Sequence, residues 1–228
     1  MLTYIYLGKG VFMEKAKRVI EYYVLCNKLK NIVRTGWKEW NVQKERVESI
    51  AEHIYGTQML AIGMWSEYGY NIDLKKVLSM LAIHELEETV IGDLTMFQVD
   101  SKTKAEMGHR AIHDILSKMT EGESLEKLVL EFDEKKTPES QFAYMCDKLE
   151  CDLQCRIYDE EGCVDTTHQD DNKAATHPLV TKLLSEGNSW SEMWLKFDQS
   201  KYPYDTNFKA VSDYALSHKI TEKEELAD

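Results

Sequence analysis

The sequence contains no apolar run approaching the roughly 20 residues that a membrane-spanning helix requires, so no membrane association is expected. Its first residues, MLTYIYLGKGVFMEKAKR, lack the ordered basic, apolar and small-residue regions of a signal peptide, and the expected location is cytoplasmic. The five cysteines (Cys26, Cys146, Cys151, Cys155 and Cys163) are odd in number and form no CxxC pair, which points to reduced, partly buried thiols. Cys151 and Cys155 are spaced to share a helix face, but with no further cysteine pair a thiolate metal site there is disfavoured. Cations are in short supply. The chain has 28 Lys and Arg against 40 Asp and Glu, a net charge of −12, and no basic block, which argues against binding to duplex nucleic acid. An acidic protein can still bind a small phosphate ester where an arginine and a metal reverse the local field.

Internal repeats are absent, and apart from short extended pieces near the N-terminus no alternating strand pattern occurs. With 228 residues, 43% apolar and 30% charged, the chain reads as a soluble all-α bundle with room for a full core. Residues 12–33 form a first helix that offers Val19, Ile20, Tyr23, Val24, Leu25 and Leu29 to the core. The segment RTGWKEWNVQ follows as a loop carrying Arg34, Trp37 and Trp40, a composition suited to a planar, phosphorylated ligand or simply to covering the core edge. Residues 47–67 form a second helix with Ile50, Ile54, Thr57, Ala61, Met64 and Trp65 along one stripe and His53 at its edge, read alone as a satisfied core histidine. Lys102–Met119 is a further helix whose His109 and His113 fall on an exposed-looking, solvated face. Residues 137–161 form a long helix capped by Thr137, with Pro138 in its first turn and Phe142, Cys146, Leu149 and Leu153 as its stripe. Asp147 lies off that stripe and reads alone as a surface acid beside Lys148. A polar loop over 162–178, one or two closing helices bearing Trp190 and Trp194, and a frayed tail KITEKEELAD complete the chain.

The stretch with the most chemistry is IHELEETVIGD, residues 83–93. Leu74, Val77, Leu78 and Leu81 form an apolar stripe at helical spacing, and its continuation reaches His84, Glu85 and Glu88. Inward acids are costly unless a metal or cation compensates them. Gly92 suits the helix exit, leaving Asp93 just beyond it.

In order, the chain presents a histidine in ESIAEH (His53), a histidine–acid pair (His84, Glu85) and a later aspartate in FxxxxDKLE (Asp147). This set resembles the HD-domain metal phosphohydrolases. The preceding RTGW and the E-x-x-x-x-GD after the pair are similar to their 5′-deoxynucleotidase branch, the resemblance covering roughly residues 32–160. It implies an HD-domain bundle over residues 1–178, with residues 179–228 as a helical extension packed on the same domain. It also implies one divalent metal held by His53, His84, Glu85 and Asp147; mixed imidazole and carboxylate ligands suit Mn, Fe, Co, Ni or Zn, with Mg also possible in the family, better than Ca. Where the family has aspartate this chain has Glu85, so the backbone must shift by on the order of an ångström to keep a bond near 2.0–2.2 Å. By the same resemblance Glu88 acts on the attacking water, Asp93 lies by the sugar and leaving oxygen, Arg34 holds the phosphate, and Trp37 packs by the sugar. The substrate implied is a nucleoside 5′-monophosphate and the assembly a homodimer. Two alternatives stand beside this: a triphosphohydrolase or phosphodiesterase on the same fold, for which only Arg34 and Lys38 are obvious cations, and a nucleotide-binding module that has lost catalysis.

Overall fold

The computed structural model describes residues 2–95 and 98–221, with side chains from Phe12 onward. Among these residues the fold is all helical, and its one β contact is an isolated bridge between Val33 and Ser49. The chain forms α1 (Leu2–Cys26), a 3-10 turn (Asn27–Asn31), α2 (Thr35–Glu39), α3 (Ile50–Tyr68), α4 (Leu74–Ile83), α5 (Glu88–Ile91) and α6 (Ser101–Leu116). It continues through α7 (Gly122–Glu134), α8 (Pro138–Glu160), α9 (Pro178–Ser185), α10 (Trp190–Lys201) and α11 (Thr206–Ser217).

The central element is α8, which touches α3, α4, α7, α10 and α11. Its start follows from the sequence: Thr137 and Ser140 cap each other reciprocally, and Pro138 occupies the first turn where no backbone donor is needed. Phe142, Ala143, Cys146 and Leu149 from α8 meet Ala61 and Met64 of α3 and Val77 and Leu81 of α4 in one core. At the other end of α8, Cys155 and Tyr158 enter a second core with Trp37, Trp40, Val180, Trp190 and Met193. That second core joins the segment before α3 to α9 and α10, and it positions one wall of the site described below.

Four local expectations change. The helix from Leu74 does not run on through Glu88: α4 ends at Ile83, residues 84–87 are turns with Leu86 N–H bonded to the Ile83 carbonyl at 3.1 Å, and α5 restarts at Glu88. Part of the RTGWKEW segment is the short helix α2 rather than loop. Three helices, not one or two, follow the polar loop. Finally, Val19, Ile20, Tyr23 and Val24 are 56–62% exposed, because α1 turns Tyr22, Leu25 and Cys26 to the core instead. Trp65 is likewise exposed on α3. Residues 222–228 of the expected frayed tail lie outside the described residues.

Candidate metal centre and cleft

Four side chains from three elements converge between α3, α4 and α8. Ser49 and Glu52 form a capping box that fixes the first turn of α3 and aims His53 at α8. His53 Nε2 lies 3.1 Å from Asp147 Oδ1 and 3.9 Å from Glu85 Oε1, and His84 Nε2 lies 3.8 Å and 3.7 Å from the same two oxygens. The break in α4 matters here. Consecutive residues of a continuous helix point away from each other, whereas the turn after Ile83 lets His84 and Glu85 face one point. Asp147 is buried rather than a surface acid, because α8 is enclosed on several sides.

The donor set fits a divalent metal. Around a cation with bonds of about 2.1 Å, neighbouring ligand atoms sit about 3.0–3.4 Å apart, close to the separations here; one ligand atom from each of the four residues lies within 4.8 Å of the others. The imidazoles are also oriented for ligation. His84 Nδ1 donates to the Leu81 carbonyl at 2.8 Å, leaving Nε2 buried without a hydrogen-bond partner and its lone pair toward the cluster. His53 Nδ1 donates to Glu150 Oε2 at 2.5 Å, the carboxylate–imidazole support that metal-ligating histidines use. Glu150 is a residue that sequence reasoning missed; its signal was a place three residues after Asp147 on the same helix.

Electrostatics mark the cluster as built for a cation. Burial opposes the charge on Glu85, yet His84, Lys104 and Arg34 hold its carboxyl down at about 2. Burial, with Glu85 and Asp93 nearby, pushes the Glu88 carboxyl up to about 11 even though Lys104 lies 3.5 Å away. A bound cation inverts such local balances. Burial and Arg34 oppose a charge on His53, but Glu150 and Asp147 raise it to about 9.

A cleft of about 260 Å³ opens beside the cluster, and Arg34, Glu85, Glu88, Asp93, Lys104 and Lys148 line its charged end. Arg34 precedes α2, tied by its N–H to the Glu48 carbonyl at 3.1 Å; one terminal nitrogen bonds Cys151 Sγ at 2.9 Å and the other is buried without a partner. Asp93 is placed by Gly92, whose positive φ of 74° turns the chain out of α5, and its carboxylate then accepts the Thr35 N–H at 2.6 Å. Lys104 and Lys148 went unrecognised from sequence: Lys104 turns inward from the otherwise exposed start of α6, and Lys148 bonds Asp147 Oδ2 at 2.8 Å while lying over the Tyr144 and Tyr202 rings. Lys38 is exposed. A second cavity of about 540 Å³ is lined by His84, Glu85 and Asp147 of the cluster and shares Glu85, Lys104 and Lys148 with the cleft.

Trp37 sits elsewhere than the resemblance implied. It is 2% exposed, its indole N–H donates to Glu48 Oε2 at 2.7 Å, and it packs edge-on against Tyr158 and Trp190 in the core. Trp40 and Trp194 line the cleft instead. His109 and His113 remain on the exposed face of α6, bonded to Asp133 and Glu126. All five cysteines are free thiols, and Cys151 lies against Arg34 rather than in a thiolate metal site.

The chain is 30% identical over 162 residues to the 5′-deoxynucleotidase HDDC2 of Dictyostelium discoideum, covering 68% of this chain and 82% of that one. It is 26% identical over 198 residues to the 5′-deoxynucleotidase hdd1 of Schizosaccharomyces pombe, covering 82% of this chain and 98% of that one. Among solved structures, the PH0347 protein of Pyrococcus horikoshii OT3 superposes with a TM-score of 0.63 at 21% identity, covering 87% of this chain and 98% of that one. A metal-dependent phosphohydrolase predicted for Magnetospirillum magnetotacticum MS-1 superposes at 0.56 and 19% identity, covering 90% of this chain and 96% of that one. The HD-domain family model matches residues 26–183, a span holding the whole histidine and carboxylate cluster, and the chain belongs to the HD-domain family.

Proposed function

We propose that this protein is a metal-dependent 5′-deoxynucleotidase that hydrolyses nucleoside 5′-monophosphates to nucleoside and phosphate. The observation that carries the reading is the pairing of a largely buried His53–His84–Glu85–Asp147 cluster with a cleft whose charged end also holds a half-buried arginine with one buried, unpartnered terminal nitrogen. In this reading those four residues hold one divalent cation. The chemistry such a cation supplies when bound is polarisation of the phosphoryl group and a lowered pKa for the attacking water. Arg34 binds the non-bridging phosphoryl oxygens through its unpartnered nitrogen and stabilises the charge that develops on them. Glu88, on the cleft side of α5, is the group to accept the proton of the attacking water, and its ionisation would require the positive charge of Lys104 together with that of a cation held by the cluster. Asp93 faces the same space and is the group for the sugar and the leaving oxygen.

For the triphosphohydrolase alternative the sequence offers only Arg34 and Lys38 as obvious cations. Lys104 and Lys148 remove that shortage, so a substrate panel must contain triphosphates. The exposed apolar faces of α1 (Val19, Ile20, Tyr23) and α3 (Met59, Ile62, Trp65) support a homodimer. The free, mostly buried cysteines fit a reducing cytoplasmic compartment. We further assign residues 1–178 to the catalytic unit and residues 179–228 to an extension packed on it through α10 and α11.

Phosphate release from deoxynucleoside and ribonucleoside monophosphates, triphosphates and a cyclic dinucleotide, after chelation and readdition of Mn or Co, tests the reading. Metal-dependent release from deoxynucleoside monophosphates alone is expected, and Glu88→Ala should abolish it while metal stays bound. Silence from the wild type and from Glu85→Asp alike would instead identify a nucleotide-binding module.

A further inference from the structure

One helix facing the cleft lies beyond the residues matched by the family model, which end at residue 183. On α10, Trp190 and Met193 turn into the core, at 2% and 1% exposure. Trp194, Phe197 and Lys201 follow at spacings of three and four and line the cleft, with Trp194 and Phe197 only half-buried. Asp198 beside them accepts a hydrogen bond from the Trp194 indole and also lines the cleft. Trp40 closes this end, its ring centroid 6.4 Å from that of Trp194. The cleft is therefore divided: cations and acids at the cluster, half-exposed aromatic rings with a carboxyl and an ammonium at the far end. A nucleoside monophosphate is divided in the same way, into a dianion and a planar base with a polar edge.

We propose that α10 builds the nucleobase subsite, with Trp194 and Phe197 giving the base its stacking surface and Lys201 facing its polar edge. This rests on the nucleotidase reading above and adds to it a specificity determinant. The C-terminal segment makes the enzyme prefer a phosphate ester carrying a base over the bare sugar phosphate. The cleft volume, about 260 Å³, lies just under the roughly 300–1,000 Å³ of small-molecule pockets, which favours a small ligand over an extended one.

The test compares kcat/KM on deoxynucleoside 5′-monophosphates with that on 2-deoxyribose 5-phosphate, in the wild type, Trp194→Ala and Phe197→Ala. Binding of unphosphorylated deoxynucleosides, read by tryptophan fluorescence quenching, is measured alongside. Stacking on an aromatic side chain should make the wild-type preference for the nucleotide on the order of ten-fold or more, and each variant should lose most of it through KM. Deoxynucleoside affinity should fall by a similar factor. Trp194 also packs on Trp37 at 5.2 Å between centroids, so Phe197→Ala, checked by thermal melting, keeps the test decisive. A wild type with no preference for the nucleotide, or a Phe197→Ala protein whose preference and deoxynucleoside affinity stay within two-fold of wild type, would overturn the subsite. If the wild type cleaves no monophosphate, the nucleotidase reading fails by itself. The subsite then stands or falls on whether deoxynucleosides bind and Phe197→Ala weakens them.

Discussion

The support given to His53 by Glu150 can be broken without touching either residue. Gly56 lies one turn after His53 on α3, with the Glu150 side chain packed over it. A Cβ built there would fall inside the van der Waals envelope of Glu150 Oε1 and 2.9 Å from its Cδ. Carbon atoms in ordinary contact sit about 3.5–4.0 Å apart, so in Gly56→Ala the carboxylate must retreat by on the order of 1 Å. The 2.5 Å hydrogen bond from His53 Nδ1 then stretches out of range. Loss of such a partner lowers metal affinity about 10- to 100-fold, or about 1.4–2.7 kcal/mol. Helix propensity acts the other way, since alanine in place of glycine inside a helix stabilises by about 1 kcal/mol. Gly63 on the same helix supplies the control, because a Cβ there meets nothing within 4 Å. Competition titration of Mn against a chelator, together with thermal melts, separates the two effects. Gly63→Ala should gain stability and keep metal affinity, whereas Gly56→Ala should lose affinity by at least ten-fold. A Gly56→Ala protein binding Mn within two-fold of wild type would refute the role given to Glu150.

Asp152 and Asp198 form a second buried acidic pair, between α8 and α10, where burial and the neighbouring carboxyl raise Asp152, while burial pushes Asp198 up to about 6. A carboxyl raised in the folded state binds more protons there than when unfolded, so its contribution to stability is full below the unfolded value of about 3.9 and is lost as pH rises through the folded value. Asp152→Asn keeps an acceptor for the Tyr204 hydroxyl and should stabilise the protein at pH 7–8 by about 1–3 kcal/mol, with the gain shrinking toward pH 4; melts with no gain at pH 8 would contradict the pairing. Arg34→Lys removes the planar fork, and should lower kcat/KM for monophosphates by about 100-fold while leaving metal content, read by elemental analysis, at the wild-type level. Trp37→Phe leaves Glu48 Oε2 without its donor and should cost about 1–3 kcal/mol in thermal unfolding. The ratio of deoxyribose to ribose substrates should not move, and a shifted ratio would return Trp37 to the sugar.

Local signals in the sequence determined much of this protein. The capping residue Thr137, the Pro138 start of α8, the solvated His109–His113 face and the all-helical class all follow from interactions within a few residues. Of the cluster, His84 and Glu85 were legible as inward-facing charge continuing the Leu74–Leu81 stripe, whereas His53 and Asp147 joined the set only through the resemblance to the HD-domain phosphohydrolases. Tertiary structure decided what those residues face. Asp147 reads as a surface acid until α3 and α4 cover its side of α8. Lys104 reads as solvated until the helix start brings it over Glu88, and Trp37 stays open between ligand contact and core cover until α10 brings Trp190 and Trp194 against it. The outward apolar face of α1 was misassigned for the same reason. Periodicity identifies an apolar stripe but carries no record of which neighbour, in this chain or another, will cover it.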